Sequence, residues 1–211
     1  GTITKTPVAT GADLVAYSGF SASNYLEQPY NSDLDFGTGD FSYMGWYKAN
    51  AAINTAEALW SRGDTTNNFT GLFLVFINGS AADDIQVYAG ANSITSTSRF
   101  ADDVWGHLCI VRRNGVLSVY KNGTFAASST QTNTMTNTSS VFRVGYNAYN
   151  NGQIATNLNT ALLRASATAP TAEQIAKIYE DEKHLFQENA KATLYGSSDA
   201  VTALAHDDTT D

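Results

Sequence analysis

Cysteine, proline and charge are all scarce in this chain, and each shortage narrows the reading. Cys109 is the only cysteine among 211 residues, so no intramolecular disulfide can form and the fold does not rely on an oxidising compartment. It lies in an apolar, alternating run, where a lone cysteine reads as a small buried hydrophobe rather than a nucleophile. His107, His184 and His206 are the only histidines. They offer no pair at zinc-ligand spacing, and no Gly-x-Ser-x-Gly elbow is present for a nucleophilic serine. Charged residues make up only 15% of the chain, with 12 Lys and Arg against 20 Asp and Glu, a formal net charge of −8. That balance argues against nucleic acid or an anionic membrane as a partner, since both call for basic patches. The one tight basic pair, Arg112-Arg113, reads as an exposed strand end. The longest apolar run, residues 72–77, has the length of a strand and falls far short of a membrane span. Residues 1–10 show no leader pattern, and the abrupt start and acidic end lead us to expect a piece cut from a longer polypeptide.

What is present is a sheet grammar. Ser, Thr, Asn and Gly are abundant, which suits short strands joined by many turns, and 43% of residues are apolar, enough for a core. Residues 105–127 read WGHLCIVRRNGVLSVYKNGTFAA and organise the rest. Asn114-Gly115 and Asn122-Gly123 separate runs of alternating polarity, and Asn-Gly is the pair that best supplies the positive φ angles of a type I′ turn. Three antiparallel strands are therefore expected at 107–113, 116–121 and 124–128. Further strands are expected at 25–27, 41–48, 59–62, 72–77, 85–88, 141–146 and 158–167, with 3–10 and 14–17 short strands or an entry arm and 92–100 a strand or a loop. Residues 41–48 carry aromatic rings on both parities, so both faces of that strand should be covered. Residues 49–57 form a polar connector with room for a helical turn. Residues 130–140 are almost wholly Ser, Thr, Asn and Gln and read as an exposed loop. After Pro170 the period changes. Thr171 and Gln174 make a capping box, and Ile175, Ile178 and Tyr179 share one face of a helix expected over 171–183.

The Trp105 strand, the hairpin and Tyr120-Lys121-Asn122-Gly123 together resemble the central signature of laminin-G-like domains, which are concanavalin A-like jelly rolls. Four further pieces match in order: Leu34-Asp35-Phe36-Gly37-Thr38-Gly39-Asp40-Phe41-Ser42 with Trp46, then Leu59-Trp60-Ser61-Arg62-Gly63-Asp64, then Phe142-Arg143-Val144-Gly145, then Pro170-Thr171-Ala172-Glu173-Gln174-Ile175. The resemblance spans about residues 14–182. It implies an all-β, two-sheet concanavalin A-like jelly-roll sandwich over 1–169, one C-terminal helix over 170–190 packing on the sandwich or a neighbour, and a short extension over 191–211. Residues 185–186, 192–195 and 200–205 resemble segments that follow such domains in bacteriophage tail and other virion proteins. The superfold hosts lectins, adhesion modules, glycosidases and structural domains, so it implies no single function.

Candidate chemistry has to come from the residues. Glycoside hydrolysis needs two carboxylates about 5–5.5 Å or about 6.5–9.5 Å apart. The Glu-x-Asp-x-x-Glu spacing of the superfold's retaining glucanases is missing, and Asp83-Asp84 and Asp102-Asp103 are adjacent pairs that point two ways on a strand. No catalytic residue is assigned. Calcium takes six to eight oxygens, and the resemblance implies a rim where Asp64 and Asn147 would contribute; the plainer alternative is that Asp64 caps the Gly63 turn. Arg62-Gly63-Asp64 also spells an adhesion tripeptide that the family pattern already explains. The Asn-x-Ser/Thr sites at Asn68, Asn78, Asn122 and Asn137 arise readily in a chain this rich in those residues. Sugars are held by aromatic rings on their C–H faces and by amides on their hydroxyls. Tyr146, Asn147, Tyr149, Asn150 and Asn151 cluster in one loop that supplies both, with Trp60, Phe69 and Tyr88 as possible neighbours. The alternative is that Tyr146 and Trp60 are core and the asparagines form turns.

The expectation is a non-enzymatic module that binds carbohydrate on a cell surface, set in a virion tail or surface structure or otherwise extracellular. Its site residues are Tyr149, Asn147, Asn150, Asn151 and Tyr88, with Asp64 and Asn147 for calcium. Its partners are a glycan and other virion proteins, with self-association, and without nucleic acid or membrane insertion. The alternatives are a virion decoration or oligomerisation domain that binds no glycan, and an accessory domain of a glycoside hydrolase.

Overall fold

The structure, a computed structural model, describes residues 2–50, 53, 55–64, 69–78, 84–96, 98–149 and 151–191. Within them the strands are β1 (Thr4–Pro7), β2 (Val15–Ser18), β3 (Leu26–Gln28), β4 (Phe41–Ala49), β5 (Glu57–Gly63), β6 (Phe73–Ile77), β7 (Ile85–Ala89), β8 (Asn92–Ser96), β9 (Gly106–Arg113), β10 (Val116–Lys121), β11 (Thr124–Thr130), β12 (Val141–Val144) and β13 (Leu158–Ser166). Helix α1 (Ala172–Glu182) follows and runs into a 3₁₀ turn, Lys183–Phe186. One sheet has the order β1-β2-β13-β4-β9-β10-β11 and the other β3-β12-β5-β6-β7-β8, all paired antiparallel. This is the two-sheet sandwich the sequence leads one to expect. Of the connector 49–57, where a helical turn had room, residues 51, 52 and 54 lie outside the described residues, as does the tail over 192–211.

The β9-β10-β11 meander forms as its turns dictate. Asn114 and Gly115 take φ of 49° and 74°, and Asn122 and Gly123 take 48° and 74°, the positive pairs that match hairpin twist. The register pairs Arg113 with Val116 and Lys121 with Thr124. Alternate residues of each strand then fall on one face. Phe41, Tyr43 and Tyr47 of β4 and Ile110 and Val119 of its neighbours meet Leu59, Trp60, Phe73, Val75 and Ile85 from the opposing sheet. The Tyr43 and Phe73 rings stack across the gap with centroids 3.9 Å apart.

Strand β4 is covered on its other face too. Met44, Cys109 and Val111 lie under Ile175 of α1, which has no exposed surface, a burial that contributes about 1.5–3 kcal/mol. The helix starts at a true capping box: Thr171 Oγ1 accepts from the Gln174 N–H at 3.2 Å and Gln174 Oε1 from the Thr171 N–H at 2.8 Å. Its end is tied down by Trp46 Nε1, which donates to Glu182 Oε2 at 2.8 Å, and by Phe186 stacked on Trp46 at 4.1 Å. Burial pushes the Cys109 thiol up to about 12, which leaves it inert at neutral pH.

Two expectations fail, and for one reason. Arg112 is not an exposed strand end; it is completely buried. Its Nε donates to Gly39 O, its Nη1 to Asn133 O and its Nη2 to Gly37 O, each at 2.8 Å, and its guanidinium lies 4.7 Å from the Phe41 ring centroid. Nor is 130–140 simply exposed, since Gln131, Met135 and Ser140 are buried. Arg62, also buried, donates through Nη1 to Gly71 O at 2.8 Å and Met135 O at 2.7 Å, and through Nη2 to Asp35 and to Asn137 O. The polar loop is held by its carbonyls, which every residue carries, so its side-chain composition gave no sign of it.

Two tests follow from this packing. Arg112→Met leaves three loop carbonyls without their charged donor and should cost roughly 3 kcal/mol or more in urea unfolding, whereas Arg113→Met, one residue on and exposed, should stay within about 1 kcal/mol. His107 is buried beneath Trp46 and Tyr179, with neither ring nitrogen hydrogen-bonded among the described residues. Burial pulls its pKa from 6.5 down to about 4, partly offset by Glu182. Between those values the unfolded chain takes up a proton that the folded chain refuses, so stability should fall as pH drops from 6.5 towards about 4, by up to roughly 3 kcal/mol. His107→Phe should remove that part of the slope when unfolding is followed across the same pH range.

Candidate functional site

Strands β6 and β7 alternate, and apart from Gln86 the residues facing away from the core are also apolar or aromatic. Leu74 and Phe76 of β6 join Ala58 and Leu72 in a second cluster on the outer side of the six-stranded sheet, with Tyr88 of β7 against it. An outward face of this kind is normally solvated. Here Asn147, Tyr149 and Gln153 come over it. Ser61 Oγ, from β5, donates to Tyr146 O at 2.8 Å and accepts from the Ala148 N–H at 2.9 Å. Asn147, fully buried, shapes the tip: its Nδ2 donates to Gln153 Oε1 at 2.8 Å and its Oδ1 accepts from the Tyr149 N–H at 2.8 Å.

Loop and sheet leave a cleft of about 190 Å³ between them. Leu72, Leu74 and Phe76 make its floor, Tyr88, Tyr149 and Phe69 its rings, and Asn147 and Gln153 its polar edge. Phe69 stands 46% exposed with its ring centroid 5.1 Å from that of Tyr149. Among the described residues no Asp, Glu, Lys or Arg lines this space. Its chemistry is that of flat apolar surfaces edged by amides.

The structure thus brings Tyr88, Asn147 and Tyr149 together, with Phe69 beside them. Asn151 lies on the other side of the loop, where its Oδ1 accepts from Arg143 Nη1 and its carbonyl from the Tyr146 hydroxyl, each at 2.7 Å. Asn150 lies outside the described residues. Trp60 is not a neighbour of the cleft. It is fully buried in the sandwich, with Nε1 donating to Thr160 Oγ1 at 3.3 Å. Tyr146 is core as well, packed on Tyr25 at 4.9 Å with the Arg143 guanidinium over both rings. Asp64 is 7% exposed, and its Oδ2 accepts from Asn137 Nδ2 at 2.6 Å. Arg62, Gly63 and Asp64 are all buried, so the tripeptide is not presented to a partner. Among the described residues no three His, Cys, Asp or Glu side chains are grouped to hold a metal ion.

Leu72, Leu74, Phe76 and Gln153 were not anticipated at the site. For the first three the signal lay in the unbroken run from Leu72 to Ile77, apolar on both parities, which marks a strand covered on both faces; Gln153 carried none. A larger concavity of about 440 Å³ runs beside α1, but it offers no aromatic ring, and its Lys177 and Asp181 pair with each other at 2.8 Å. The aromatic cleft is the better candidate on chemistry despite its smaller volume.

Comparison with solved structures places the architecture. Domain 4 of an extracellular arabinanase from Geobacillus stearothermophilus superposes with a TM-score of 0.58 at 18% identity, over 85% of this chain and 82% of that one. The CBM40 module of a Ruminococcus gnavus sialidase gives 0.56 at 14% identity, over 68% and 84%. Trypanosoma rangeli sialidase gives 0.60 at 12% identity over 84% of this chain, which spans only 29% of that enzyme. At such identities the likeness is one of fold. No curated protein matches the sequence. A family model does, over residues 20–176, about three quarters of the chain, from the early loop before β3 to the first turn of α1. The chain belongs to the concanavalin A-like lectin/glucanases superfamily.

Proposed function

We propose that this chain is a non-enzymatic carbohydrate-binding module, of the accessory kind carried by carbohydrate-processing enzymes, and that it binds sugar in the Tyr88–Tyr149 cleft. The observation that carries the reading is the outward apolar face of the six-stranded sheet, ringed by Phe69, Tyr88 and Tyr149 and edged by Asn147 and Gln153. A few placed polar groups around an apolar, preformed concavity are the usual make-up of a small-ligand site. Two folds it resembles support the class: the arabinanase domain was solved in complex with arabinotriose, and the sialidase module bound to α2,3-sialyllactose. Those relatives favour an enzyme-associated setting over the virion setting drawn from the tail, since none of the structures named above is a virion protein. In this reading Tyr149 and Phe69 stack on the sugar, Tyr88 closes the far wall, and Asn147 and Gln153 fix the loop that presents Tyr149.

Calcium at Asp64 is a separate proposal, and an ion there would compete with Asn137 for Asp64 and with the Tyr149 N–H for Asn147. Sugar retention in the cleft is expected to survive chelation, because no carboxylate lines it among the described residues. The test is retention on a broad glycan array, with calcium and then with chelator, for the wild type and Tyr149→Ala. Tyr149→Ala should weaken retention by about tenfold or more while the melting temperature shifts by only a few degrees. Retention lost with chelator and restored by calcium would move the site to the Asp64 rim. Silence on every glycan would overturn the reading and favour a structural or self-associating domain, which light scattering would then examine.

A further inference from the structure

We infer that the cleft is one half of a longer groove that takes a neutral glycan chain of at least two units, laid across Phe69. The inference rests on the carbohydrate reading above and adds the class of sugar. A second concavity, of about 230 Å³, shares Phe69 as a wall and is otherwise lined by Thr70, Gly90, Ala91, Asn133 and Thr134. Phe69 walls both, so the half-exposed ring forms a crest between two cups. An isolated exposed ring needs no explanation, but one shared by two concavities gives a surface on which the C–H face of a sugar can lie while its neighbours descend on either side. Size decides for a chain over a single unit. Neither cup alone, at about 190 and about 230 Å³, reaches the roughly 300 Å³ at which small-molecule pockets begin, whereas the two together do.

The second cup is fixed in advance. Its Asn133–Thr134 wall is pinned by Arg112, whose Nη1 donates to Asn133 O at 2.8 Å, and by Gln131, whose Oε1 accepts from the Asn133 N–H at 2.7 Å. Gly90 makes the base, with its N–H on Leu72 O at 2.7 Å and no side chain to fill the space. Preorganised walls spare the ligand the cost of ordering them.

Charge selects the sugar. Among the described residues neither cup is lined by Lys, Arg, Asp or Glu. A sialic acid or uronic acid carboxylate would enter without a cation to pair with, against a net charge of −8. Neutral hexose or pentose chains carry only hydroxyls and C–H faces, which the amides and rings match.

The test is titration calorimetry on the whole chain with xylo-, cello- and malto-oligosaccharides of one to four units, and with oligogalacturonates and sialyllactose as acidic ligands. At least one neutral series should tighten by about tenfold between one unit and three, and the acidic ligands should bind more weakly than that series. Ala91→Trp, at an exposed turn position, fills the second cup and should bring the three-unit affinity down to the wild-type level for a single unit, with unchanged melting. A second variant, Phe69→Ala, removes the crest and should weaken every length of chain. Affinity that does not depend on length, a length gain that survives Ala91→Trp, or tightest binding to an acidic ligand would overturn the inference. The two failures are distinct. Binding that is acidic or length-independent yet lost in Tyr149→Ala sinks the groove alone, whereas no binding to any glycan sinks the carbohydrate reading with it.

Discussion

Two guanidinium groups are buried at one end of the sandwich, and the loops there are arranged around them. Arg62 from β5 and Arg112 from β9 come from different sheets, and between them they hold carbonyls of Gly37, Gly39, Gly71, Asn133, Met135 and Asn137. A planar fork with five donors can satisfy several carbonyls at once in a way a lysine ammonium cannot. Burying a charge is expensive unless its donors are all engaged, so each arginine also dictates where those loops must run. Asp35 supplies the one carboxylate in the set, on Arg62, and takes the Asn137 N–H at 3.1 Å as well. The polar segment over 131–140 thus has no apolar pattern of its own and is still ordered, because its backbone is the partner that two buried cations require.

This arrangement reaches the groove. Gly71 and Asn133 sit on the guanidinium pair and also flank Phe69 and Thr70, so the crest between the two cups stands on a base set from inside the sandwich. Gly71 shows how close that packing is. It takes a φ of +71°, and a Cβ there would lie 2.6 Å from Asn137 Cβ and 3.0 Å from Arg62 Nη1. A larger residue would displace the arginine or the loop. The opposite end of the groove is held differently, by Ser61 and the Asn147–Gln153 amide pair. Two unrelated devices therefore fix the two sides, one a buried charge and the other a chain of neutral hydrogen bonds.

Much of the fold could be read from the sequence because it is written in local signals. Asn-Gly turns set the meander, alternation set the strands, and Thr171 with Gln174 set the helix start. Each depends on residues a few positions apart. The failures come where a side chain acts over a long separation: Arg112 reaches Gly37 and Asn133, and Arg62 reaches Asp35 and Met135. A buried and an exposed arginine look alike in a list of residue types. The site was legible in part for the same reason. Tyr149 and Asn147 form a local cluster of rings and amides in the sequence, and Tyr88 joins them across the sheet. Leu74 and Phe76 belong to the site only because a loop seventy residues later lies over the outer face of their strand.

Why the cleft lies on the six-stranded sheet follows from how each outer face is covered. Both sheets turn apolar side chains away from the shared core. On the seven-stranded sheet these are Met44, Trp46, Cys109 and Val111, and α1 with its 3₁₀ extension closes over them through Ile175, Tyr179 and Phe186. A helix presents a continuous ridge, and that face is sealed so well that His107 beneath it has lost its access to water and its ordinary proton affinity. On the six-stranded sheet the cover is a loop, anchored at Ser61 and turned back on itself by Asn147 and Gln153. A loop of this kind cannot tile an extended apolar surface. It shields Leu72, Leu74 and Phe76 along one edge and leaves Tyr88, Phe69 and Tyr149 around an opening. The apolar face that the chain covers with a helix is closed, and the one it covers with a loop keeps an open cleft.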